Sequence, residues 1–267
     1  MRIPRVIHQI NLGERALPDV ILRSMERLRG DNPAWTHVLW NDAQIHDYLR
    51  QRCSPLEQAV FESIAPEYGA ARADWFRYLL MLREGGLYLD LKSSASRPLD
   101  AIVQDADRYL LSSWDRGAGS IGQDWGRHPE LQPLASLPDG EWQQWHIATT
   151  PGHPFLREVV QEVLQRVVQY DALRCGVGQL GVLRTTGPIA YTQAIERERV
   201  RASRSARQAT AWRIFEAEAS GLVFSVLPAR NALQGPHYST LRTPLIVPTP
   251  QLQALASWVS RARVASA

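Results

Sequence analysis

The sequence predicts an α/β fold on a mainly parallel sheet. Three observations carry this. Short β-branched or aromatic runs alternate with helical spacing through residues 1–100. Residues 87–92, Leu-Tyr-Leu-Asp-Leu-Lys, alternate strictly between apolar and polar. The pair Gly85-Gly86 joins that run to a helical segment through a very tight return.

The elements follow in order. Residues 5–10, Arg-Val-Ile-His-Gln-Ile, read as a first strand. Val20, Ile21, Met25 and Leu28 recur at helical spacing between Pro18 and Arg29, and Gly30 ends them. Residues 35–40 are aromatic and β-rich, and Asn41-Asp42 is a stop and a cap for a helix over 43–52. A third helix is expected over 66–84, with Ala71, Trp75, Tyr78 and Leu82 as its apolar stripe. Past Pro98 the pattern loosens. Residues 109–111 and 145–149 read as strands, and 114–141, rich in Gly, Pro, Trp and Asp, as an irregular lobe. Gly152-His153-Pro154 and Thr186-Gly187-Pro188 each open a helix, and residues 221–227 form a last strand before Pro228. The chain is read as one domain over 1–267 with no clean linker; its halves are 1–100 and 101–267.

Composition bounds the function classes. With 45% apolar and 21% charged residues, the chain is neither disordered nor fibrous. The net charge of +3 is spread along the chain, and no nucleic-acid-binding motif accompanies the arginines, so a nucleic-acid partner is not expected. Cys53 and Cys175 match no metal-ligand spacing and read as reduced thiols. No run reaches the roughly 20 apolar residues of a membrane span, and no cleavable leader pattern follows Met1. The expected location is cytoplasmic, with peripheral attachment at the inner face of the membrane left open. Two stretches invite that attachment: the arginine-rich 197–213, and the basic amphipathic end with Leu252, Leu255, Trp258, Val259, Arg261 and Arg263. For both, a solvated helix face is the simpler reading.

One compositional feature is local. Of the thirty basic residues all but Lys92 are Arg. Arg serves wherever only a surface charge is wanted, whereas a compact, flexible ammonium requires Lys. In the alternating run Leu87, Leu89 and Leu91 take one face, and Tyr88, Asp90 and Lys92 the other. Ligands of open α/β sheets bind beyond the carboxyl ends of strands, which is where Asp90 and Lys92 fall. A weak exposed pair is the plain alternative. Asp74 and Arg77, three residues apart on the preceding helix, are either a surface ion pair or a second charged pair converging on the same sheet edge.

These residues carry a family resemblance. Residues 3–9 (Ile-Pro-Arg-Val-Ile-His-Gln), Trp40-Asn41-Asp42, Asp74-Trp75-Phe76-Arg77-Tyr78 and residues 85–90 (Gly-Gly-Leu-Tyr-Leu-Asp) resemble the DXD-containing sugar transferases. That group includes fungal initiating α-1,6-mannosyltransferases and bacterial capsule or lipopolysaccharide sugar transferases, with the clostridial glucosylating toxins more distant. The resemblance implies a GT-A-like, Rossmann-type nucleotide-sugar-binding fold, with residues 1–100 on the donor side and an irregular helical lobe on the acceptor side. It implies transfer of a hexose, with retention, from a UDP- or GDP-hexose donor to a glycan or lipid-linked acceptor, as in polysaccharide biosynthesis. The alternatives are a nucleotide-sugar-binding protein without catalysis and an effector that glycosylates a protein.

Carried over by position, Asp74, Arg77 and Tyr88 would meet the donor, with His8 and Gln9 ending the first strand nearby. His8 is equally readable as a buried strand histidine. Trp145 and His146 are the acceptor-side candidates, with core packing the simpler role for Trp145. Asp90 stands at the first Asp of the Asp-X-Asp motif, and Lys92 departs from the second. Asn11 departs too, because many relatives have Trp there. The motif usually holds a divalent cation against the donor's diphosphate. With Lys92 in place, either the ammonium takes over part or all of the role of Mn²⁺ or Mg²⁺, or a cation is held by Asp90 with a C-terminal ligand such as His237.

Overall fold

The structure is a computed structural model describing residues 2–13, 16–115, 117, 118, 120, 122, 125–132, 134, 140–204, 211–227, 238–254 and 257. The strands are β1 (Val6–Ile10), β2 (Thr36–Trp40), β3 (Gly86–Leu89), β4 (Ser94–Ala95), β5 (Tyr109–Leu111), β6 (His146–Thr149), β7 (Arg213–Ile214) and β8 (Leu222–Val223). The helices are α1 (Asp19–Gly30), α2 (Asp42–Arg52), α3 (Pro55–Ser63), α4 (Gly69–Glu84), α5 (Pro154–Val168), α6 (Ala172–Cys175), α7 (Gly178–Thr185), α8 (Pro188–Arg204) and α9 (Ala217–Ser220).

Six strands form one sheet in the order β2-β1-β3-β6-β5-β7, and β4 pairs with β8 apart from it. β1 runs parallel to both β2 and β3, whereas β6 is antiparallel to β3 and to β5. β5 and β7 run parallel as well, so the sheet is parallel-rich, as the sequence led us to expect, with β6 antiparallel to both of its neighbours. The reason is topological: β6 enters from the second half of the chain and pairs directly with β3 of the first. Both halves consequently share one core. Tyr88, Ile147 and Tyr109 face α4, α5 and α8 on one side of the sheet. Leu87, Leu89, Leu110 and Ala148 pack with Trp35 and Leu222 on the other.

Local differences have local causes. The third helix begins at Gly69 and not at Pro66, because a separate helix, α3, precedes it. Its signal is legible in retrospect: Ser54 accepts from the Glu57 backbone N–H while the Glu57 carboxylate accepts from Ser54 N, a complete capping box with Pro55 in the first turn. The apolar stripe proposed for α4 understates its burial. Residues 74–81 are buried continuously, Asp74 and Arg77 included, because the helix packs against β3 and β6 of the sheet and against α3 and α5. The last strand shrinks from residues 221–227 to Leu222–Val223, which pair only with the two-residue β4.

The strand of the motif also ends early. β3 stops at Leu89; Asp90 N still bonds Trp145 O at 2.8 Å, and the chain then turns as Ser93 N bonds Asp90 O at 2.8 Å. Asp90 and Lys92 thus sit on a turn beyond the strand, not on its polar face. At the other end, Gly85 has φ of 67° and Gly86 of 98°. The return they make presses the start of β3 against β1. A Cβ on Gly86 would lie 2.6 Å from the Val6 carbonyl oxygen, a backbone atom that cannot step aside. Gly86→Ala should cost about 2 kcal/mol or more, read as a lower urea midpoint at unchanged slope.

Candidate functional site

A cavity of about 410 Å³ opens beyond the carboxyl ends of the parallel strands β1 and β3. Ile10, Asn11 and Leu12 form one edge; Asp90, Leu91 and Lys92 form the next. α4 supplies Ala70, Ala73, Asp74 and Arg77, one helical face by the 3–4 spacing. The second half of the chain closes the opposite wall, with Trp114, Glu141, Gln144, Trp145 and Phe224.

The charged groups of α4 and the motif turn converge. Arg77 pairs with Asp74, both side chains 5% exposed, and reaches Asp90 Oδ1 with Nη1 at 3.0 Å. Tyr88 donates its hydroxyl to the same oxygen at 2.9 Å, and its ring lies under the guanidinium at 5.1 Å. Thr186 Oγ1 donates to Asp74 Oδ2 at 2.8 Å, and the Tyr78 hydroxyl contacts the Thr186 carbonyl and Gln144. So Asp74 and Arg77 are a buried pair, and the surface reading of their spacing is overturned. Burial pushes the Asp74 carboxyl up to about 6 against the pull of the guanidinium. The carboxylates on either side of the Arg77 guanidinium favour its charged form.

Three sequence-based candidates lie outside this cavity. His8 is buried beneath it: Trp40 Nε1 donates to His8 Nδ1 at 3.2 Å, so His8 Nε2 donates to Gly85 O at 3.2 Å. Burial holds this neutral ring's pKa down to about 4. Gln9 donates to the carbonyls of Asp90 at 3.1 Å and Ser93 at 3.3 Å, and its Oε1 meets His37 at 2.8 Å. Both residues therefore hold the double-glycine return and the motif turn in place, and neither lines the cavity. His146 points behind the wall to Ser112 Oγ at 2.7 Å. Trp145, its neighbour, does line the cavity, and its buried Nε1–H has no partner among the described residues. His153 caps α5 by accepting from Phe155 N.

Lys92 is held in the wall itself. Its Nζ lies 4.4 Å from the centroid of the Phe224 ring. The turn is tied to the segment carrying that ring: Val226 N bonds Lys92 O at 2.8 Å and Ser93 Oγ bonds Phe224 O at 2.6 Å. No sequence signal marked Phe224, because the pairing crosses more than a hundred residues. Glu141 and Gln144 were missed for the same reason. Glu141 accepts from Trp114 Nε1 at 2.7 Å and contacts His128 Nε2 at 2.7 Å. Thr186 stood out in the sequence only as part of the tripeptide that opens a helix. His237 lies outside the described residues, and among those described no group of three or more His, Cys, Asp or Glu is placed to hold a metal ion. Leu255, Trp258, Val259, Arg261 and Arg263 of the basic amphipathic end lie outside them too. The arginines of α8 are less free than their run suggests. Arg201 pairs with Glu158 at 3.1 Å and Glu198 at 2.6 Å, Arg199 with Glu196 at 2.6 Å, and Arg197 with Glu162.

Residues 18–109 match the family described as a glycosyltransferase sugar-binding region containing a DXD motif. Inositol phosphoceramide mannosyltransferase 1 of Schizosaccharomyces pombe is 28% identical over 61% of this chain and 43% of its own length. The initiation-specific α-1,6-mannosyltransferase of Candida albicans is 24% identical over 70% of this chain and 50% of its own. The chain thus spans about half the length of these curated relatives or less. Among solved structures, PaToxG glycosyltransferase superposes with a TM-score of 0.52 at 17% identity, covering 74% of this chain and 70% of that one. The ligand-free glycosyltransferase domain of the YGT toxin gives 0.50 at 11%, covering 84% and 82%. The resemblance drawn from the motifs and the α/β fold class are both borne out.

Two outcomes follow from the buried charges. Arg77→Met leaves Asp74 and Asp90 facing each other without their cation and should cost about 3–5 kcal/mol, measured by urea denaturation. Acid should also weaken the fold. Burial lowers the pKa of His8, His37 and His153 to about 4 and of His146 to about 3. The unfolded chain therefore binds more protons than the folded one below pH about 6.5, and stability falls from there toward pH 4. Asp74 and Glu218, raised by burial, act in the opposite sense but are outnumbered. The urea midpoint should drop steadily between pH about 7 and about 5.

Proposed function

We propose that this cavity binds a nucleotide sugar, a UDP- or GDP-hexose, and that the chain transfers the hexose with retention to a glycan or lipid-linked acceptor. One observation carries the reading: Asp74, Arg77, Tyr88 and Asp90 form a single hydrogen-bonded cluster at the mouth of β1 and β3, inside the region that matches the sugar-binding family. The names of the fungal relatives favour mannose as the hexose and a sphingolipid or glycan as the acceptor.

The roles follow from what each group has left to offer. Arg77 gives Nη1 to Asp90 and Nη2 to Asp74, while its buried Nε–H has no partner among the described residues. It therefore acts by fixing Asp90 in one orientation, with Asp90 Oδ2 free, among the described residues, to accept donor hydroxyls. Asp90 is half-buried, at 29% side-chain exposure, and is the carboxylate of the cluster that a ligand reaches most readily. Trp145 lines the cavity with an apolar ring suited to the C–H surface of a sugar, while its indole N–H is buried and has no partner among the described residues. Glu141 and Gln144 line the side supplied by the second half of the chain, where the acceptor would enter. Breaking the anomeric C–O bond puts negative charge on the departing diphosphate, and positioned cations or donors must meet it as it develops. Peripheral attachment at the cytoplasmic membrane face belongs to the same reading, because a lipid-linked acceptor would be presented there.

The test is a screen of nucleotide sugars by thermal shift, followed by transfer and hydrolysis assays. The cognate donor should raise the unfolding midpoint by selective binding to the folded state. Asp90→Asn should retain the fold by circular dichroism yet lose transfer by about 100-fold, in the range lost with one well-placed polar group. An unshifted midpoint with every UDP- and GDP-hexose would defeat the proposal.

A further inference from the structure

We infer that Lys92 binds the donor's diphosphate directly, in place of a divalent cation held by the protein. This rests on the nucleotide-sugar reading of the cavity and adds what neutralises the phosphates there.

The donor set argues against a protein-held cation. A divalent ion of the magnesium or manganese kind needs several oxygen ligands, with one or two carboxylates from the protein. Asp90 Oδ1 already accepts from Arg77 and from Tyr88. Asp74 is taken by Arg77 and Thr186, Glu141 by Trp114 and His128, and Glu67, also in the lining, accepts from Thr243 through Oε1. Among the described residues Asp90 Oδ2 has no partner, and two residues further on the turn carries an ammonium, which repels a cation. Among the described residues no group of three or more candidate ligands gathers there or elsewhere.

The same geometry suits an anion. Among the described residues, two basic ones line the cavity, Arg77 and Lys92. The charge of Arg77 is consumed by two carboxylates, whereas Lys92 makes no ion pair with a carboxylate among the described residues. Its ammonium rests on the Phe224 ring, an attraction that orients the side chain while leaving its N–H donors for another acceptor. The backbone bonds of Lys92 and Ser93 to Val226 and Phe224 fix turn and ring together, so the ammonium is held in place before a ligand arrives. Composition supports the point independently: this position alone, among thirty basic ones, keeps lysine. Lys binds phosphate as a compact point charge, without the planar fork that Arg imposes.

The experiment is calorimetric titration of the full chain with UDP and with GDP, in EDTA and in Mn²⁺, for wild type, Lys92→Met and Lys92→Asp. Folding of each variant is checked by its thermal midpoint. Expected are wild-type affinity in EDTA within about 3-fold of that in Mn²⁺, and a loss of 10-fold or more for Lys92→Met in EDTA. Lys92→Asp, which supplies a second carboxylate, should bind weakly in EDTA and recover 10-fold or more with Mn²⁺. Wild-type binding that requires Mn²⁺ overturns the inference and leaves the nucleotide-sugar site standing. Unchanged affinity in Lys92→Met does the same. Absence of binding by either diphosphate, with and without Mn²⁺, overturns both readings together.

Discussion

The buried guanidinium of Arg77 is the constraint on which the site depends. It sits between Asp74 on its own helix and Asp90 on the motif turn, with the Tyr88 ring beneath it. A charge so fully withdrawn from water is tolerable only when its partners and hydrogen bonds are in place. Helix α4, strand β3 and the segment carrying Thr186 must therefore take one mutual arrangement, because each delivers a group to the same ion network. The cavity is the open side of that arrangement.

Two backbone devices make the convergence geometrically possible. Gly85 and Gly86 turn the end of α4 straight into β3 with positive φ at both residues, so Arg77 and Asp90 meet across a very short return. Beneath them His8 and Gln9 brace the two ends of β3, one at the glycine carbonyl and one at the carbonyls of Asp90 and Ser93. These are polar side chains spent on holding backbone, which explains why they are buried and why His8 stays neutral.

Much of the fold was legible locally. The spacing of Val20, Ile21, Met25 and Leu28, the cap at Asn41 and the alternation of Leu87, Tyr88 and Leu89 each appear as the expected element. The capping box at Ser54 marked α3 just as clearly and was passed over. The antiparallel direction of β6 was not legible, because strand pairing between residues 86–89 and 146–149 leaves no trace at short range. The candidate site divides in the same way. Asp74, Arg77, Tyr88 and Asp90 sit within seventeen residues of one another and share a helix–return–strand unit whose geometry follows from local spacing. Phe224, Glu141 and Trp114 reach the cavity only through the closure of the second half of the chain over the first.

By itself the sequence determined which groups carry charge at the motif and that a single lysine stands two residues after Asp90, since residue type and period of two are properties of the chain alone. Tertiary structure decided what those groups do. It ended β3 at Leu89, buried Asp74 and Arg77 as one pair, moved His8, Gln9 and His146 out of the cavity, and set the Lys92 ammonium against Phe224. The physical reason is that burial and pairing depend on what the rest of the chain brings alongside. An exposed Asp74–Arg77 pair and a buried one have the same spacing, and only the packing of α4 between sheet and helices separates them.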